Sequence, residues 1–173
     1  MTLEEALAQL KKWCDESSGK PIPLFPKHHA VFESRSLHNE DEIAQVEAEL
    51  GFLFPNSYRR FMATVGACSL FSWSLHGGGP RFYTPSEILQ VSQGASYSDE
   101  NSNHHRICFV GEHRLMGAFM GFLMSRPGEQ NFDVFCHEYP FEEYVAVSDE
   151  ISSWRKFESW VIKCVETRGE DSI

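Results

Sequence analysis

No stretch of this chain is long and apolar enough to suggest a membrane span. The richest run, Gly117 to Met124, has eight residues, against the roughly 20 that a spanning helix needs. The opening residues MTLEEALAQLKKWCD carry acids early and no continuous apolar core, so they do not read as a secretory signal. The five cysteines are odd in number and widely spaced: Cys14, Cys68, Cys108, Cys136 and Cys164. Neither a disulfide framework nor a CxxC metal site follows from that spacing. Each cysteine sits beside apolar residues, as small buried hydrophobes do in a reducing cytoplasm, and a cytoplasmic location is expected.

Basic residues are also scarce. Lys and Arg number 15 against 25 Asp and Glu, a formal net charge of −10. A phosphate backbone requires a basic face, so direct nucleic-acid binding is not expected. The deficit is uneven. Residues 1–50 hold five basic and ten acidic groups, residues 51–125 five and four, and residues 126–173 five and eleven. The two ends are acidic and the middle is nearly neutral. A basic protein partner would suit such a chain.

What is present is a good deal of aromatic residue, including 14 Phe in 173 residues, which excludes a disordered tail. The length suits one domain with a short appendage. Thr2 and Glu5 have capping-box spacing, and Leu3, Leu7, Leu10 and Cys14 form one stripe, predicting a first helix. Pro21, Pro23 and Pro26 then forbid a helix, so Lys20 to His38 reads as an extended arm. Residues 1–38 are thus expected to be an accessory and 39–173 the main domain.

Asn39 and Glu42 predict the start of a second helix, with Ile43, Val46 and Leu50 inside and Gly51 as its left-handed cap. Pro55 opens a third, with Tyr58, Phe61, Met62 and Val65 inward and Arg59 and Arg60 outward. Beyond Gly66 the period falls to two. Phe71, Trp73 and Leu75 alternate with polar residues, a half-buried strand. Gly77 to Gly79 turn the chain, and Arg81 to Tyr83 read as a short strand. Thr84, Pro85 and Glu87 start a short helix to Val91. Three apolar runs at 106–110, 117–124 and 132–137 predict antiparallel strands, and 144–147 a last one. A long helix closes the chain from Asp149 to Thr167, its stripe formed by Ile151, Trp154, Phe157, Val161, Cys164 and Val165. The expected fold is α+β, an antiparallel sheet of about four to six strands packed on N-terminal helices and a long C-terminal helix.

Catalytic constellations are absent by pattern. The triple glycine is followed by proline, not by Lys-Ser/Thr, so it does not make a phosphate loop. No GxSxG elbow occurs. Of the eight histidines, only His113 and His137, near Cys108 and Cys136, fall where a hairpin could gather them. Cys136 and His137 are adjacent and would face opposite sides of a strand, which argues against a shared metal. No catalytic, cofactor or metal residue is assigned. The remaining candidates are collective. Glu138, Glu142, Glu143, Asp149 and Glu150 are interleaved with Tyr139, Phe141 and Tyr144. Aromatics among acids suit a protein interface, where rings supply burial and carboxylates meet Lys and Arg. The blander alternative, which the pattern favours, is a solvated loop whose rings tuck into the core.

The segment EIAQVEAELGFLFPNSYRRFMATVGACSLF, Glu42 to Phe71, resembles the opening of the SUKH superfamily, which includes the cell-wall-assembly regulators of the SMI/KNR type and many bacterial immunity proteins. The matching features are Ile43, Glu49-Leu50-Gly51, Phe54-Pro55, Tyr58, Phe61 and Gly66. Later pieces fit in order: residues 82–88, 107–111 and 117–124, and SSWRKFESWV at 152–161. The chain departs from the pattern at Gly66-Ala67-Cys68, where Asn-Gly-Gly is usual, and at Trp154, where Phe is usual. The resemblance implies an α+β domain with no enzyme activity and no cofactor. It further implies a protein-binding role, such as an immunity protein that occludes the basic site of a nuclease toxin. A regulatory scaffold of the cell-wall-regulator type is the alternative. An unrecognised hydrolase is a third reading, motivated by the histidines alone.

Overall fold

The computed structural model describes residues 1–73, 77–96, 107–114, 117–129, 132–136 and 156–170. Its first helix, α1 (Leu3–Ser17), begins as the sequence predicts. The Glu5 amide donates to Thr2 Oγ1 at 3.3 Å and the Thr2 amide to Glu5 Oε2 at 2.8 Å. Helix α2 (Glu40–Leu50) repeats this box with Asn39 and Glu42 and ends at Gly51 with φ +64°. Helix α3 (Asn56–Thr64) follows Pro55.

Seven strands form one antiparallel sheet in strict sequence order among the described residues. They are β1 (Ile22–Phe25), β2 (His28–Ser36), β3 (Ala67–Trp73), β4 (Pro80–Phe82), β5 (Ile107–His113), β6 (Ala118–Leu123) and β7 (Phe135–Cys136). The count exceeds the expected four to six because β1 and β2 join it. The prolines obscure this in the sequence. Pro23 has no N–H to give a ladder, but it lies on the edge strand, where none is needed. Inward-facing Ala30 and Phe32 are fully buried and anchor β2 to β3. Helix α4 (Pro85–Ser96) lies between β4 and β5, and α5 (Phe157–Glu166) closes the described chain. The fold class is α+β, as the pattern predicts.

The helices α1, α3 and α5 share the core face of the sheet. Its centre is aromatic. Phe61 meets Phe82 at 4.6 Å, and Phe157 stands edge-on to Phe135 at 5.0 Å and to Phe61 at 5.3 Å. Such tilted and edge-on pairs each add about 0.5–1.5 kcal/mol beyond area burial. A smaller cluster of Ile107, Phe109, Val134 and Cys136 occupies the opposite face of β5 to β7. The alternation is direct, since Cys108, Val110 and Phe135 belong to the main core. The five cysteines are buried thiols that fill space in these clusters.

Three points differ from the pattern reading or refine it. Strand β3 is buried throughout Ala67–Phe71 rather than half-buried, because β2 and β4 flank it. Phe71 takes φ +49° at a bulge opposite Val31 to Glu33. Gly66, at φ +79°, lets α3 turn back onto β2, for a Cβ there would stand 1.9 Å from the Ser36 carbonyl oxygen. The expected strand at 144–147 and residues 149–155, where the closing helix is expected to open, lie outside the described residues. The helix begins at Phe157 rather than running unbroken from Asp149, because Lys156 is extended (φ −96°, ψ 140°) and bridges Val134.

Candidate functional site

Register alone assembles a polar row across the face of the sheet away from the main core. Glu33 pairs with Ser69, Ser69 with Arg81, Arg81 with Glu112, and Glu112 with Phe119. Laterally paired residues share one face of a sheet, so five strands present one line of side chains. Arg81 is its pivot. Its Nη1 donates to Glu112 Oε1 at 3.0 Å and its Nη2 to Glu87 Oε1, and its guanidinium lies 5.3 Å from the Tyr83 ring centre. Tyr83 donates its hydroxyl to Glu112 Oε2 at 3.2 Å.

Glu87 ties the row to helix α4. It caps that helix by accepting from the Thr84 amide at 2.8 Å, and it receives Arg35 Nη2 at 2.7 Å. Burial alone would push this carboxyl up, but Arg35, the Thr84 amide and Arg81 outweigh it and hold it at about 2. Tyr83 is driven the other way, by burial first and then by the Glu112 charge, so its phenol stays protonated. At the end of the row Phe119 is 42% exposed and packs its ring on Phe109 at 5.1 Å. Arg114 Nε lies 3.7 Å from Glu112 Oε1.

Chemically this row holds no nucleophile beside a base. The Glu112 and Glu87 carboxylates are committed to guanidinium groups, and the two-pronged Arg35–Glu87 pair fixes geometry. Such a surface suits contact with another protein: a rigid charged lattice with an exposed ring at its margin. Sequence reasoning missed it because residues 33, 69, 81, 112 and 119 have no local spacing in common. Only the outward positions of Arg81 and Glu112 carry a signal, and that signal needs the strand pairing to be known.

The residues that the sequence nominates for partner contact, Glu138, Tyr139, Glu142, Glu143, Tyr144, Asp149 and Glu150, lie outside the described residues, as does His137. His113, Cys108 and Cys136 are buried. Cys108 and Cys136 belong to different clusters on opposite faces of the sheet, so the hairpin does not gather the set that a metal would need. No group of three or more His, Cys, Asp or Glu among the described residues is arranged to hold a metal ion.

Two further acidic residues are withdrawn from solvent without any forewarning in the sequence, Glu47 buried and Asp133 half-buried. Glu47 is 4% exposed, accepts the Phe54 amide at 2.7 Å and pairs with Arg59. Arg59 lies on the outer face, as expected, with its side chain 40% exposed, and from there it reaches Glu47 and clamps α2 onto α3. Asp133 accepts from Ser57 Oγ at 3.3 Å, and burial pushes its carboxyl up to about 6 despite that bond and nearby Lys156.

Comparison with known proteins adds the rest. No solved structure matches the chain. Over 166 residues, 96% of each chain, it is 25% identical to a protein of Dickeya dadantii (strain 3937) named immunity protein RhsIB. No helix among the described residues is long and apolar enough to cross a membrane. Residues 38–160, which hold α2 to β7 and the start of α5, match the model of the SMI1 / KNR4 family (SUKH-1), and the chain belongs to that family.

Proposed function

We propose that this chain is an immunity protein: a non-enzymatic binder that neutralises a toxin by covering its working surface. The observation that carries this is the end-to-end correspondence with the Dickeya immunity protein, which takes in 96% of both chains and not a shared module alone. The charge supports a basic, nuclease-type toxin as the partner. Ten excess carboxylates on 173 residues can stand where such a site expects phosphates, and complementary charge speeds encounter and excludes wrong partners. The acidic and aromatic residues Glu138, Tyr139, Glu142, Glu143, Tyr144, Asp149 and Glu150 are the proposed contacts, by the chemistry of rings among carboxylates. Occlusion requires no cofactor, and action on an intracellular toxin requires a cytoplasmic protein.

The test is coexpression with the toxin encoded beside this gene. The chain is expected to form a 1:1 complex with that toxin, to abolish its nuclease activity at equimolar ratio and to rescue growth. Growth arrest that persists at high levels of the folded chain would sink the reading.

A further inference from the structure

A cleft of about 470 Å³ opens between α1, the edge strand β1 and the C-terminal end of α5. Its walls include Gln9 and Trp13 from α1, Pro23 and Leu24 from β1, and Glu166 and Arg168 beyond Val165. This volume lies within the range of ligand sites. Every residue lining it falls outside residues 38–160, the stretch that matches the family model. The cleft is therefore built by the N-terminal helix, the edge strand and the end of α5, all outside the matched stretch.

The cleft is rich in donors. Arg168 gives one N–H, from Nη1, to the Leu24 carbonyl at 2.6 Å, and its guanidinium carbon lies 5.4 Å from the Phe25 ring centre. The guanidinium offers five N–H groups in all, and no other partner for them occurs among the described residues. The Gln9 amide and the Trp13 indole N–H likewise have no hydrogen-bond partner among those residues. The Trp13 ring is braced from behind by Phe32 at 5.3 Å and Phe71 at 5.8 Å, so its wall is rigid. The single carboxylate, Glu166, is drawn aside by the Met1 ammonium at 3.4 Å. In an otherwise acidic molecule this spot offers a cation, an amide and an indole to an acceptor.

Strand addition at this edge is blocked. Pro23 lacks an N–H, and the Leu24 carbonyl is already taken by Arg168. An occupant must instead be held by its side chains and carbonyl groups. We propose that the cleft holds an extended stretch of the partner protein bearing an Asp or Glu, whose carboxylate meets Arg168 and Gln9 while an apolar neighbour lies on Trp13. This rests on the reading that the chain binds a toxin, and it supplies a second contact, apart from the basic site, by which one toxin is told from another.

Gln9 permits a test of sign. The probe is the catalytically inert form of the adjacent gene's toxin, titrated calorimetrically into the full chain. Gln9→Glu is expected to weaken binding about tenfold and Gln9→Lys to tighten it about threefold, with both melting temperatures unchanged. Arg168→Gln is expected to weaken it at least tenfold. If the unaltered chain binds and both Gln9 variants stay within twofold of it, the cleft proposal is overturned while the immunity reading stands. Tighter binding by Gln9→Glu overturns the acidic occupant. A toxin that fails to bind the unaltered chain overturns the reading and this proposal with it.

Discussion

Arg59 holds the buried carboxylate of Glu47, and Glu47 in turn receives the backbone amide of Phe54 at 2.7 Å. One side chain thus fixes the α2–α3 connection and the placement of Phe52 and Phe54, both of which pack on Phe122. Removing the carboxylate leaves a buried amide and a guanidinium without their acceptor. Glu47→Ala is expected to cost about 3 kcal/mol in urea unfolding. Arg59→Ala should cost a similar amount, and the double variant less than the two together.

Asp133 sits where the chain before β7 meets α3 and α5. Burial raises its carboxyl from an ordinary 3.8 to about 6; Ser57, Lys156 and the Phe157 amide pull against that, and Glu158 adds to it. A raised folded value means the native state prefers the protonated form. The stability this gives is complete below pH 3.8 and is lost as pH rises through 6. Asp133→Asn should therefore unfold at higher urea than the parent at pH 8, by about 1–2 kcal/mol, and match it near pH 3.5.

Glu87 behaves with the opposite sign. Its folded value of about 2 lies below the ordinary 4.5, so the stability it contributes is present above pH 4.5 and is lost as pH falls toward 2. Replacement by Gln should flatten the decline of the urea midpoint between pH 5 and pH 2. A decline of unchanged slope would assign the acid sensitivity to other carboxylates.

Gly66 tests the close approach of α3 to β2. Its positive φ and the 1.9 Å gap to the Ser36 carbonyl leave no room for a methyl group, and the contacting atom is backbone. Gly66→Ala is expected to cost 3 kcal/mol or more, about 10 °C or more in melting temperature for a domain of this size.

Phe119 lies at the exposed margin of the polar row. Phe119→Ser should leave melting within about 2 °C, because the ring is 42% exposed and surface changes are mild. If the row contacts the toxin, the same variant should weaken binding about tenfold.

The helices were legible because their signals are local. Thr2 with Glu5, Asn39 with Glu42 and Thr84 with Glu87 each state a helix start within four residues, and all three boxes form. The inward strands were legible from runs such as Ile107 to Val110. The polar row and the Glu47 clip were not, because they depend on register between segments far apart in sequence. The segment at 20–38 is extended, as its prolines predict, but its pairing into the sheet was not legible, because proline forbids a helix without saying whether the edge strand it allows will pair.

The buried thiols make the molecule its own unfolding clock. Burial, aided by the Asp15 charge, raises Cys14 to about 11, and burial raises Cys108 to about 12, so neither thiol reacts while folded. Each modification by an alkylating reagent then records one opening event. Because Cys14 lies on α1, Cys68 on β3, Cys108 on β5 and Cys164 on α5, the order of labelling would show whether the N-terminal helix peels away before the sheet or opens together with it.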